Sequence, residues 1–212
     1  MKVASICVGV PREVQWQGKT VSTGIFKSQV EGPVRVRMLN LDGDEQADLT
    51  VHGGEHKAVY TYAAEYYDWW RTKLAQPELG FGAFGENFTT VGLDETTVCV
   101  GDRFRFGGCV LEAAQPRMPC FKLGIRFNDP SILKTFLDSG RLGIYFRVVD
   151  EGMVATGDGI EKIFAHPAQL PVFEVRALTK GPLQKDKVTE LLTLKTLCPR
   201  IRQKLETRLQ SK

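Results

Sequence analysis

No apolar run in this 212-residue chain approaches the roughly 18 residues that a membrane-spanning helix needs. The opening stretch, Met1-Lys2-Val3-Ala4-Ser5-Ile6-Cys7-Val8, alternates like a strand and lacks the long apolar centre of a secretory signal. The five cysteines are odd in number, widely spaced and free of any C-x-x-C pair, which argues against a disulfide framework or a zinc ribbon. These absences lead us to expect a cytoplasmic protein with no membrane partner. The phosphate-cradling pattern G-x-x-x-x-G-K-S/T and the esterase elbow G-x-S-x-G are both missing. Internal repeats and low-complexity stretches are missing too.

What is present suits one medium domain, or one domain with a small appendage. The chain is 42% hydrophobic and 25% charged, ordinary values for a globular protein with a sizeable core. Its net charge of +3 is unevenly placed, because residues 175–212 hold ten Lys/Arg against three Asp/Glu. The remainder is therefore net acidic. A basic C-terminal segment suits nucleic acid, an acidic protein partner, or simply a solvated helical face.

Up to about residue 165 the texture is mainly β. Short β-prone runs at 3–10, 34–39, 57–62, 97–100, 104–106, 109–113 and 144–149 alternate with Gly-, Asp- and Pro-rich turns. Many short strands with irregular spacing point to a barrel or sandwich. Two helices interrupt them. One, over 63–73, spaces Ala63, Tyr66, Tyr67 and Trp70 as a core-facing stripe. The other starts near Pro130 and carries Ile132, Leu133, Phe136 and Leu137 on one side. After Pro167 and Pro171 come three short helical patterns, over 172–178, 184–197 and from Pro199, each too short to be stable alone. The expected organisation is a β domain over 1–165 and a small three-helix domain over 166–212.

Cys120 stands out by its loop, Gln115-Pro116-Arg117-Met118-Pro119-Cys120-Phe121-Lys122-Leu123. Pro119 stiffens the approach to the cysteine, and Arg117 and Lys122 bring positive charge near the sulfur, a setting that favours thiolate over thiol. Such a sulfur can be a nucleophile, a sulfur carrier or a soft metal ligand; a buried structural cysteine at a turn is the plain alternative. His52-Gly53-Gly54-Glu55-His56 has the histidine spacing of a zinc-protease helix, but two consecutive glycines make a helix there improbable and the acid is misplaced. The glycines more plausibly turn the backbone toward an anion, with His56 and Lys57 as further donors. Asp42-Gly43-Asp44 lacks the glycine and glutamate that a calcium loop requires at its sixth and twelfth positions. Gly80-Phe81-Gly82-Ala83-Phe84-Gly85-Glu86-Asn87 permits close backbone approach to a ligand, and Glu86-Asn87 offers paired polar groups.

In this order, 41–48, Val51-His52-Gly53-Gly54 with Lys57-Ala58-Val59, Gly82-Ala83-Phe84-Gly85-Glu86-Asn87-Phe88, Gly101-Asp102 and the Cys120 loop resemble the MOSC domain. That family takes its name from the C-terminal part of molybdenum-cofactor sulfurases. The likeness is close to its stand-alone YiiM-like branch, where a small three-helix domain follows, and it covers nearly the whole chain. The resemblance implies a mainly β, MOSC-type β-barrel fold with a few helices. It also implies a cysteine, here Cys120, that either carries sulfur or ligates molybdenum held by a pterin dithiolene. We expect the molybdenum cofactor (molybdopterin), with Gly53, Gly54, Lys57 and Arg117 toward its phosphate, Asn87 toward the pterin and Lys122 as a further cofactor-binding residue.

The implied activity is reduction of N-hydroxylated compounds, such as hydroxylaminopurine-type base analogues. Cys120 would tune the metal, and His56 or Glu86 would deliver protons. Electrons are expected to come from a separate reductase. Arg200, Arg202 and Lys204 form the expected dock for an acidic carrier. No stable nucleic-acid partner is expected. The chain lacks the extra N-terminal barrel domain of the larger MOSC reductases, so enclosure of the cofactor falls to this domain, its helical tail or a homodimer. A sulfur carrier working through a Cys120 persulfide, and a non-catalytic pterin- or nucleobase-binding module, are the alternative readings.

Overall fold

The computed structural model describes residues 1–211. Strand β1 (Lys2–Val8) leads into a hairpin of β2 (Arg12–Trp16) and β3 (Lys19–Thr23), then β4 (Ser28–Gln29) and β5 (Val34–Val36). A single helical turn, α1 (Leu49–His52), and a 3-10 turn over Glu55–Lys57 precede β6 (Val59–Ala63), α2 (Tyr66–Lys73) and β7 (Phe88–Val91). Next come β8 (Arg103–Phe106), β9 (Cys109–Pro116), α3 (Lys122–Phe127), α4 (Ile132–Ser139), β10 (Ile144–Asp150), β11 (Gly152–Val154) and β12 (Ile160–Phe164). Three helices finish the described chain: α5 (Val172–Lys180), α6 (Lys185–Thr193) and α7 (Pro199–Gln210).

Eight strands form one mixed sheet in the order β12-β8-β9-β10-β6-β7-β1-β4. Its neighbours are antiparallel except β6 and β7, which run parallel with α2 in the crossover between them. β9 is buried along its whole length, because one face meets the core and α5 packs against it. The expected mainly β barrel is corrected on two counts. Seven α-helices make the architecture mixed α/β, and among the described residues the sheet does not close. Closure needs a continuous ladder around the ring, and the free edge of β1 is divided. Cys7 and Val8 pair with β4, whereas Lys2 makes only an isolated bridge to Gly159, flanked by Val3 N to Asp158 O at 2.9 Å and Ile160 N to Met1 O at 2.9 Å.

Two apolar clusters hold these elements. One joins Phe88, Phe104, Phe106, Leu111 and Phe146 of the sheet to Val175, Leu191 and Leu205 of α5, α6 and α7, so the C-terminal helices and the sheet share a core. The other is aromatic. The helical stripe of α2 is core, as its spacing suggested: Tyr67 and Trp70 are fully buried among Tyr62, Phe84 and Phe136. Trp70 Nε1 donates to Tyr62 OH at 2.6 Å, and Tyr62 OH donates to Arg141 O at 3.0 Å, so the polar tips of these large rings are satisfied. Gly143, at the entry to β10, has φ +71°, and a Cβ there would sit 2.4 Å from Thr61 O. Only glycine permits that approach, and the Gly143 carbonyl accepts from Arg117 N at 3.2 Å.

The expected strand at 97–100 is instead a turn whose Cys99 bridges Pro171. The β2–β3 hairpin and α3 were not foreseen. No helix among the described residues is long and apolar enough to cross a membrane.

Candidate active site

Cys120 and His52 meet at the centre of the site. Asp48 caps α1, accepting from Thr50 N at 3.0 Å, and Gly53-Gly54 ends the turn, Gly54 at φ +89°. This short rigid turn presents His52, whose Nε2 lies 3.2 Å from Cys120 Sγ. Cys120 is half-buried just before α3, and its carbonyl accepts Leu123 N at 2.9 Å as that helix begins. Burial, then the positive charges of Lys122 and Lys57, push the His52 pKa down to about 4. At neutral pH its ring is therefore uncharged, so the pair is a hydrogen bond and not an ion pair. His52 Nδ1 is buried with no partner among the described residues.

Two pockets share this pair. A narrow one of about 90 Å³ runs toward Gly24, Lys27, Asp44, Asn87 and Tyr60. A wider groove of about 370 Å³ runs toward α5 and α7, reaching Lys180, Arg200 and Lys204. His52, Lys57, Met118, Cys120 and Tyr145 line both. Behind the narrow pocket, Lys27 and Asp44 form a buried ion pair; Asp44 also accepts from Gly9 N at 2.9 Å and Asn87 Nδ2 at 2.9 Å. Burial lowers the Lys27 pKa in spite of Asp44.

The residues expected from sequence divide clearly. Cys120, Lys57, Lys122, Asn87 and Arg117 all line the narrow pocket. Lys57 Nζ donates to Val51 O, and burial lowers its pKa. Arg117 lines the pocket wall, but its guanidinium is turned inward. It donates to Phe84 O and, at 3.3 Å, to Tyr60 OH, and it lies over the Tyr60 and Phe136 rings at 4.8 and 5.3 Å. Burial opposes that charge, yet Tyr60, Tyr145 and Cys120 outweigh it and keep the guanidinium firmly protonated. Asn87 is likewise committed: its Oδ1 accepts Tyr60 N at 3.0 Å while its Nδ2 serves Asp44. Gly53 and Gly54 shape the turn that holds His52 and do not line either pocket.

Glu86 and His56, the expected proton donors, are elsewhere. Glu86 is fully buried and accepts from Tyr67 OH, Gly82 N at 2.8 Å, Phe84 N at 3.1 Å and Thr89 Oγ1 at 3.0 Å. His56 lies in the 3-10 turn with Nε2 3.4 Å from Glu55, and its carbonyl accepts from Gln115. Neither lines the pockets. Of the three basic residues read as a dock, Arg202 is spent on the carbonyls of Leu192 and Leu194 at 2.5 and 2.6 Å, fastening α7 to the end of α6. Sequence reasoning passed over His52 as a ligand of Cys120. Its only local signal was its place between a capping Asp48 and two glycines.

A mixed α/β frame with a pocket-lining thiol, a neutral imidazole beside it and a basic rim defines a thiol-centred pocket protein. The chain belongs to the MOSC domain family, whose profile matches residues 48–161. It is 35% identical over 174 residues to Protein YiiM of Escherichia coli (strain K12), covering 81% of this chain and 77% of that one. A protein named Reductase from Gibberella moniliformis (strain M3125 / FGSC 7600) is 39% identical over 146 residues, which is 68% of this chain and 26% of that much longer one. The crystal structure of YiiM from Geobacillus stearothermophilus superposes with a TM-score of 0.82 at 28% identity, covering 98% of both chains. The YiiM-like kinship read from the motifs therefore holds.

Proposed function

We propose that this protein is a molybdenum-cofactor-dependent reductase of N-hydroxylated compounds, hydroxylaminopurine-type bases among them. The observation that carries the reading is the half-buried Cys120 sulfur, hydrogen-bonded to His52 where two pockets meet. Family membership and the reductase-named relative support an oxidoreductase role.

The residues present fit the cofactor. Among the described residues no three His, Cys, Asp or Glu side chains converge as a metal site. A metal at Cys120 must then bring most of its own ligands, as a dithiolene-held molybdenum does, and a thiolate is the soft ligand it accepts. Cys120 would hold the metal, and Lys57 and Lys122 would face the cofactor's negative charge. When bound, the cofactor supplies the two-electron chemistry: R–NH–OH, two electrons and two protons give R–NH₂ and water. The electrons come from a separate reductase.

The chain's own part is binding and orientation. His52 fixes the direction of Sγ through Nε2, and its neutral ring adds one hydrogen bond to the sulfur without adding charge. The Lys27–Asp44–Asn87 network stiffens the far wall without offering a free donor. Tyr60 and Tyr145, both pushed up by burial, stay as neutral phenols.

The test is molybdenum content per chain in protein from a host that makes the cofactor, for wild type and Cys120→Ala. Near-stoichiometric metal that is lost in the variant upholds the reading. Metal equal in both overturns the ligand assignment. A metal-free protein carrying a persulfide on Cys120 favours sulfur transfer, to which the open groove beside the sulfur is also suited.

A further inference from the structure

The wide groove beside Cys120 carries an unusual charge pattern. Lys57 comes from the turn after α1, Lys180 from the last position of α5, and Arg200 and Lys204 from adjacent turns of α7. These four cations come from three separate parts of the chain and converge on one recess. No Asp or Glu lines it, and among the described residues none of the four is in an ion pair. Lys180, Arg200 and Lys204 are exposed, whereas Lys57 is half-buried beside the thiol. Like charges gathered this way repel one another, and the repulsion is relieved by an anion of matching charge.

We infer that this groove is a phosphate subsite and that the substrate is the phosphorylated form of an N-hydroxylated base, a nucleotide in preference to the free base. The inference rests on the reductase reading above for the base and on the groove alone for the phosphate. A dianionic phosphate suits this set: Arg200 offers a planar fork for two oxygens, and the lysines act as point charges around it. A recess of about 370 Å³ takes a small molecule, and its floor residues Cys120, His52 and Tyr145 continue into the narrow pocket. A nucleotide anchored among α5 and α7 would therefore direct its base toward Cys120. The C-terminal helices become part of substrate recognition.

The experiment is calorimetric binding of adenosine 5′-monophosphate and of adenosine, at low salt, to wild type and to Arg200→Gln/Lys204→Gln. Both substituted residues are exposed, and circular dichroism will show whether the fold is retained. The expected result is at least about tenfold tighter binding of the monophosphate by wild type, a preference that the double variant loses and that added salt weakens. Equal binding of the two ligands, or a preference unchanged in the variant, overturns the proposal. The same titration on molybdenum-loaded protein separates the two sources of phosphate. A preference that disappears on loading gives the groove to the cofactor's own phosphate and overturns the substrate assignment; one that survives supports it. Protein that takes up no molybdenum in a host that makes the cofactor, yet still prefers the monophosphate, would fail the reductase reading and keep the phosphate subsite.

Discussion

His52 Nε2 lies 3.2 Å from Cys120 Sγ, although 68 positions separate the two residues. A neutral ring held that close acts on the sulfur through one hydrogen bond, a contact worth about 1 kcal/mol. His52→Ala should therefore slow alkylation of Cys120 by iodoacetamide about fivefold with the fold intact. An unchanged rate would show that the imidazole leaves the sulfur's reactivity alone.

Glu86 and His56 should separate under substitution. Glu86→Gln keeps one acceptor oxygen where four donors converge, so it should cost about 2–4 kcal/mol of stability, read from the denaturant midpoint. Turnover per folded molecule should hold. His56→Gln should leave both stability and Cys120 alkylation close to wild type, because its ring contacts Glu55 outside the pockets. A specific loss of turnover in either variant, at full stability, would restore it as a proton donor.

Glu95 gives the protein a pH signature. It is fully buried and accepts from Gly143 N at 3.2 Å and Tyr66 OH at 3.2 Å, holding the turn that leads into β10. Burial raises its pKa above the usual 4.5, against the pull of the Leu142 and Gly143 amides. From 4.5 up to the folded pKa, the folded chain binds a proton that the unfolded chain has released. The Glu95 contribution is thus complete below 4.5 and is lost as pH rises through the folded value. Glu95→Gln, neutral at every pH, should flatten the dependence of melting temperature on pH in that window. An equally steep variant would exclude Glu95 as its source.

Much of this was legible in the sequence, for identifiable reasons. Pro171, Gly181-Pro182 and Pro199 punctuate the three C-terminal helices, which appear as α5, α6 and α7. Pro119 and the cations around Cys120 marked the loop because that information is local. Its partner was hidden, since nothing along the chain says that residue 52 reaches residue 120. Arg117 misled for a related reason: nearness in sequence to Cys120 does not reveal that its guanidinium points into an aromatic cluster. The β2–β3 hairpin was missed because its apolar face is small, only Val14, Trp16 and Val21 among polar residues, although Gln17 and Gly18 both take the positive φ of a tight two-residue turn.

The groove draws Lys57 from near the start of the matched domain and Lys204 from the last helix described. A polypeptide leaves the ribosome in order, N-terminal parts first. Cys120, His52 and Lys57 therefore emerge well before Arg200 and Lys204, and for that interval the nascent chain carries an open thiol with only part of its basic wall. The groove is completed late in synthesis, when α7 packs on α5 and α6.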